Sequence, residues 1–123
     1  AGSEFPAPSS PASSCKQATI TLEMQDCLGR LLDRVDQELN LYLERAKSRL
    51  NAERDRESGA VSRTVADLAA SQQAWRRYRD SACQAVWSFW SGGSIRGPKL
   101  LECRIALARE YLDHMTGLEG LAA

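Results

Sequence analysis

The chain has 123 residues and balances 16 basic against 16 acidic side chains, which gives a formal net charge of zero. This neutrality argues against a nucleic-acid-binding protein, which usually carries a basic excess. No run of about eighteen apolar residues occurs, so no segment is predicted to span a membrane.

The first fourteen residues are not expected to join a core. Residues 1–5, AGSEF, resemble a cloning remnant, and residues 6–14, PAPSSPASS, form a Pro/Ser/Ala linker without large apolar side chains. With a signal peptide already removed, such a linker suits either a lipid-anchored protein or the free mature N-terminus of a secreted one. We expect a single helical domain over residues 15–118, followed by a tail at 119–123.

Four cysteines constrain the compartment. None has C-x-x-C spacing and His114 is the only histidine, so no metal or cofactor site is predicted. The alternatives are buried thiols or two disulfides, and an even count in a small domain behind a linker favours disulfides and an oxidising, periplasmic or extracellular location. Of three pairings, only Cys15–Cys27 with Cys83–Cys103 closes short loops, each worth on the order of 3 kcal/mol. The other two pairings span most of the chain.

The first two predicted elements are long helices. Apolar residues at steps of three and four predict a first helix over residues 21–53, with Thr19 or Thr21 as its N-cap. Its stripe is Met24, Leu28, Leu31, Val35, Leu39, Tyr42, Ala46 and Leu50.

A second helix is predicted after a break at Gly59. Ser62 is a suitable N-cap for it, and it continues to about Trp90. Its stripe is Val65, Leu68, Gln72, Trp75, Arg79, Ala82, Val86 and Phe89.

After Ser91-Gly92-Gly93-Ser94, a third helix is predicted from Pro98 to Gly117. Its stripe is Leu101, Ile105, Ala108, Leu112 and Met115. No useful length alternates with period two, so the fold class is all-α. We expect the first two helices to form an antiparallel hairpin and the third to fill one of its grooves.

Polar residues interrupt the stripe of the second helix at Gln72 and Arg79, and Asp36 and Asn40 lie one turn apart at the edge of the first stripe. One interpretation is a structural polar network that fixes helix register. The alternatives are a ligand-binding cluster, or an Arg79 side chain that extends to water. The first predicts a largely buried Arg79 bonded to Asp36 or Asn40, with Arg79→Ala costing about 3–5 kcal/mol.

The segment from residue 87 to residue 99 has the composition of a contact surface. Trp87, Phe89 and Trp90 lie within four residues, so at least one must leave the core, because successive helical residues point 100° apart. A flexible Gly/Ser tract follows them. Alternatively, the aromatics only cap the bundle and the glycines only turn the chain. The predicted partner-binding residues are Trp87, Trp90, Ser94, Ile95, Arg96 and Lys99.

Several motifs together resemble the LprI-type lysozyme-inhibitor-like family. The segment from Gln72 to Cys83 fits Q-x-x-W-x-x-[FY]-R-D-x-x-C, and residues 36–40 fit D-x-E-L-N. The family's opening motif C…T-x-x-x-E-M-x-x-C is matched by Cys15, Thr19, Glu23, Met24 and Cys27. Its G-G-S tract is matched by Gly92, Gly93 and Ser94, and its last cysteine and closing arginine by Cys103 and Arg109. One departure is Tyr42, which follows Asn40 by two residues rather than three.

The resemblance implies an all-helical, exported bacterial domain whose cysteines pair locally. It implies a binding protein that blocks a lysozyme by protein–protein contact. The alternative is an envelope interaction or immunity module directed at another toxin, effector or envelope protein. An enzyme is not expected, because His114 is isolated near a helix end and no nucleophile has a base nearby in sequence.

Overall fold

Three α-helices make up the domain in the computed structural model, which describes residue 15 and residues 21–52 and 58–117. They are α1 (Thr21–Ala52), α2 (Ser58–Phe89) and α3 (Arg96–Thr116). The described ranges contain no strand, so the predicted all-α class is confirmed. At 1.5 Å per residue, α1 and α2 are about 48 Å long and α3 about 32 Å.

Two predicted helix starts were placed too late. Helix α2 begins at Ser58 rather than near Ser62, so Gly59 lies in its first turn instead of marking the break. A glycine there costs only about 1 kcal/mol, which the packing of a long helix outweighs. Helix α3 begins at Arg96, two residues before Pro98, which still lies in the first turn where no N–H is needed.

Other predicted boundaries held or lie outside the described residues. Helix α3 ends at Thr116, and the Gly117 amide donates a 3.0 Å hydrogen bond to the Asp113 carbonyl. The proposed cap Thr19, the end of the first helix at residue 53, the linker before residue 15 and the tail beyond residue 118 are outside the described residues.

The helix directions follow from contacts between numbered pairs. Asp36 contacts Arg79 and Asn40 contacts Arg76, so α1 and α2 are antiparallel. Trp75 stacks on Tyr111 and Cys83 is bonded to Cys103, so α2 and α3 are also antiparallel, which makes α3 parallel to α1. Helix α3 contacts both other helices, more extensively than they contact each other. It therefore packs against both helices of the hairpin, as predicted.

The core is built mainly by α1 and α3. The buried side chains of α1 are Leu28, Leu31, Val35, Leu39, Leu43 and Ala46, and those of α3 are Pro98, Ile105, Ala108, Tyr111 and Met115. Two positions of the predicted stripes are shifted, because Leu43 is buried where Tyr42 was expected and Tyr111 where Leu112 was expected. Met24, Leu50 and Leu101, also placed on the stripes, are half-buried. Tyr42 is half-buried and its hydroxyl donates to the Met115 carbonyl at 2.9 Å.

Both short-loop disulfides predicted from the sequence are present. The Cα atoms are 5.9 Å apart in Cys15–Cys27 and 5.6 Å apart in Cys83–Cys103. Because α1 starts where α2 ends and α3 starts, both disulfides lie at the same end of the bundle. Gly97 there approaches the carboxamide of Gln25 so closely that a Cβ atom would displace it. The first turn of α3 is thus docked on α1.

Candidate partner-binding site

The disulfide end of the bundle carries the residues predicted to bind a partner. We call residues 87–99 the contact end; it comprises the last residues of α2, the loop 90–95 and the first turn of α3. The tract after Trp90, expected to be flexible from its glycines and serines, consists of turns up to Ile95, and α3 begins at Arg96. Flexibility was predicted from the glycine content, and glycine content does not reveal that the loop amides donate hydrogen bonds to nearby carbonyls.

The loop is a hydrogen-bonded turn. The Gly93 amide donates to the Trp90 carbonyl at 3.0 Å, and the Arg96 amide donates to the Gly93 carbonyl at 3.3 Å. Gly92 has φ +85°, a conformation that L side chains rarely adopt, so glycine is needed there. The tract therefore reverses the chain in a defined conformation between α2 and α3.

Two cations lie over the two tryptophans. The Arg96 guanidinium is 4.0 Å from the centre of the Trp87 ring, and its Nε donates to the Trp87 carbonyl at 3.0 Å. The Lys99 ammonium is 5.3 Å from the centre of the Trp90 ring and 3.5 Å from the Glu102 carboxylate. All four side chains of these pairs are half-buried. The cations are thus held against the bundle rather than extended into solvent.

The most exposed aromatic side chain of the contact end is Phe89. Its side chain is 81% exposed, and its ring meets Trp90 edge to face with centroids 5.5 Å apart. The expectation that at least one of the three aromatics leaves the core is confirmed. The prediction that Phe89 lies on the buried stripe was wrong. Phe89 is the last residue of α2, and α3 begins near that level, so too little of α3 is present there to cover the Phe89 ring.

The structure brings the six predicted partner-binding residues together at one end. Trp87, Trp90, Arg96 and Lys99 are half-buried, while Ser94 and Ile95 are exposed. The Cys83–Cys103 disulfide joins the helices on either side of the loop, and Cys83 is fully buried. The contact end is therefore held between two helices that a disulfide joins.

A second polar feature crosses the middle of the bundle. The Arg79 guanidinium lies 3.0 Å from the Asp36 carboxylate and 4.7 Å from the centre of the Trp75 ring. Trp75 in turn stacks on Tyr111 with centroids 4.7 Å apart and planes 9° from parallel. The Ser71 and Tyr111 hydroxyls are 2.9 Å apart. These contacts link all three helices through one stack.

The four polar residues predicted as a network do not form one cluster. Arg79 bonds Asp36, one of its two predicted partners. Asn40 instead accepts from Arg76 at 3.3 Å, and Gln72 accepts from Lys47 at 3.5 Å. In an antiparallel pair of helices, a residue one turn later on α1 lies opposite a residue one turn earlier on α2. Asn40, one turn after Asp36, therefore lies opposite Arg76 and not Arg79. Each pair bridges the α1–α2 seam, as a register-setting network requires, but the structural role stays a prediction.

A shallow groove of about 330 Å³ lies away from the contact end. It is lined by Glu38, Leu41, Tyr42, Arg45, Leu112, Asp113 and Thr116. It has neither an exposed aromatic ring nor a disulfide beside it, so it is a weaker candidate for a protein-binding surface.

Within residues 15, 21–52 and 58–117, no group of three His, Cys, Asp or Glu side chains is arranged to hold a metal ion. None of the three helices is both long enough and apolar enough for a membrane crossing.

Comparison with known proteins identifies the family. A family model described as "Lysozyme inhibitor LprI" matches residues 12–114. Searches of curated proteins and of solved structures gave no significant match. Since the family match covers most of the chain, the protein belongs to the LprI lysozyme-inhibitor family.

Proposed function

We propose that this member of the LprI family is an exported inhibitor that blocks a muramidase, an enzyme that cleaves the glycan strands of peptidoglycan, by direct protein–protein contact. The family match over residues 12–114 carries the proposal. An inhibitor family implies a protein partner and agrees with a role that is not catalytic.

The contact end is the surface we assign to this role. It combines a rigid turn with exposed apolar and small polar side chains, and rigidity lowers the entropic cost of binding. Ser91, Gly92, Gly93 and Ser94 are exposed and small, so the tip of the loop is narrow enough to enter a cleft. Aromatic residues close to arginine are typical anchors of protein interfaces.

Charge at the contact end complements the catalytic cleft of a muramidase. Such clefts hold two carboxyl groups that carry out glycoside hydrolysis. Arg96 and Lys99 place two positive charges directly behind the loop. Because each lies over an indole ring, we expect them to approach the rim of the cleft while the small loop residues enter deeper.

Two disulfides and membership of this family are consistent with an exported protein. We propose that the protein acts in the periplasm or outside the cell, either lipid-anchored through the Pro/Ser/Ala linker or free. Peptidoglycan and the enzymes that attack it are met in that compartment, so the location fits the proposed target.

The proposed inhibition is tested by the clearing of a suspension of killed bacterial cells. We expect an excess of the oxidised protein to slow lysis by at least one of several lysozyme types, with the effect saturating as the inhibitor is titrated. Heat-denatured, reduced protein at the same concentration is the control. Undiminished lysis by every lysozyme, with the protein shown to be folded, would contradict the proposal. The alternative module against another toxin or effector would then take precedence, and capture from envelope extracts would identify its partner.

A further inference from the structure

One side chain at the contact end is exposed in a way that the fold does not require. At 81%, Phe89 has the largest exposed fraction among the large hydrophobic residues of the described ranges, ahead of Leu22, Tyr78, Leu41 and Ile95. Exposing a phenyl ring to water is unfavourable in proportion to its apolar area. Neither cluster of the hydrophobic core includes this ring.

The ring of Phe89 contacts a neighbouring aromatic side chain. It meets Trp90 edge to face, and the Lys99 ammonium lies over the face of the same indole. Trp90 is itself held by its amide, which donates to the Val86 carbonyl at 3.1 Å. A projecting aromatic side chain has only two torsions to fix, so it loses little entropy on binding, as an interface anchor should.

The charges near the ring indicate the kind of pocket that it fits. Arg96 and Lys99 are the cations of the contact end, and Glu102, just beyond it, is already paired with Lys99 at 3.5 Å. Ile95, 38% exposed, adds a second apolar side chain on the far side of the loop. The complementary surface is therefore an apolar pocket bordered by carboxylates, and a muramidase cleft supplies the carboxylates.

From these observations we infer that Phe89 is the anchor of the interface and inserts into an apolar pocket beside the acidic groups of the muramidase cleft. This inference rests on the proposed function. Arg96 and Lys99 supply the positive charge beside the ring, and through their contacts with Trp87 and Trp90 they also orient the loop. Phe89 was absent from the residues predicted from sequence, because its spacing from Val86 assigned it to the core.

The test compares two exposed aromatic residues of the same helix. Phe89→Ala and Tyr78→Ala both remove a ring from the surface of α2. Tyr78 is 60% exposed but lies about three turns from Phe89. Inhibition constants are measured in the cell-clearing assay and dissociation constants by calorimetry, with melting curves confirming that both variants fold. We expect Phe89→Ala to weaken inhibition and binding at least about 30-fold, as for a hot spot. Tyr78→Ala should change them less than about threefold.

Two results would separate the possible failures. If the wild-type protein inhibits and Phe89→Ala inhibits equally well, the anchor is wrong while the proposed function stands. If the wild-type protein neither binds nor inhibits any muramidase, the proposed function fails and the anchor assignment fails with it. Lys99→Gln provides a third arm. If Lys99→Gln weakens inhibition more than Phe89→Ala does, an electrostatic contact and not the Phe89 ring dominates the interface, and the anchor assignment is wrong.

Discussion

Replacing Cys83 and Cys103 together with alanine is expected to lower the free energy of unfolding by about 3 kcal/mol. The disulfide joins residues 20 positions apart, and loop-closure entropy gives about 3.3 kcal/mol for a loop of that length. Alanine is chosen because Cys83 is fully buried and a small apolar side chain leaves no unpaired polar group. Urea denaturation of the wild type and the variant measures the difference.

The other disulfide supplies a matched control. Cys15–Cys27 spans 12 residues, so its removal should cost a similar amount, about 2.8 kcal/mol. Only Cys83–Cys103 joins the helices that flank the contact end. At a temperature where both variants are folded, loss of Cys83–Cys103 should weaken inhibition on the order of tenfold, through the cost of ordering a loosened loop. Loss of Cys15–Cys27 should leave inhibition nearly unchanged. Equal inhibition by the two variants would show that the Cys83–Cys103 disulfide has no specific role in binding.

Replacing Arg79 with alanine is the second substitution expected to have a large effect, at about 2 kcal/mol of stability. The value of about 3–5 kcal/mol expected from the sequence assumed that a buried acid would be left unpaired. In the structure the Arg79 side chain is 15% exposed, but that of Asp36 is 35% exposed, so water can hydrate the carboxylate once Arg79 is removed. What remains is the loss of a partly buried ion pair and of the contact with Trp75.

Arg76→Ala is the matched control for Arg79→Ala. Arg76 is also on α2 and also bonds a residue of α1, but its contact with Asn40 is exposed, so its removal should cost less than about 0.5 kcal/mol. The double variant Arg79→Met with Asp36→Leu should recover most of the lost stability, since no charge is left to desolvate. Thermal or urea unfolding measures all four proteins. If Arg79→Ala and Arg76→Ala are equally stable, the partly buried Arg79–Asp36 pair contributes no more to stability than the exposed Arg76–Asn40 contact.

Local patterns in the sequence were sufficient to predict the three helices, because apolar periodicity and a Ser-Gly-Gly-Ser tract are properties of a few neighbouring residues. The disulfide pairing was favoured by short loops and implied by the family motifs, and the structure has it. Helix starts were less accurate, since a glycine or proline in a first turn costs too little to stop a helix that packing supports.

The contact end shows what the spacing of residues along one helix cannot predict. Phe89 follows the period of its stripe, yet it lies at a level where α3 has only begun, and that level depends on where the loop reverses the chain. Arg96 and Lys99 were predicted from the sequence only as partner-binding residues. Their positions over Trp87 and Trp90 arise because the turn brings the first turn of α3 against the last turn of α2. The sequence supplies the residues, whereas the packing determines which of them project.

The most direct measurement is amide hydrogen exchange of the full chain alone and in complex with the muramidase that it inhibits. Binding through the contact end predicts slower exchange at residues 90–97 in the complex, with little change along the middle of α1. The opposite pattern would contradict it: unchanged exchange at residues 90–97, with new protection around Glu38, Tyr42 and Asp113 that line the shallow groove. That result would place the interface on the other side of the bundle and remove the contact end from the inhibitory role.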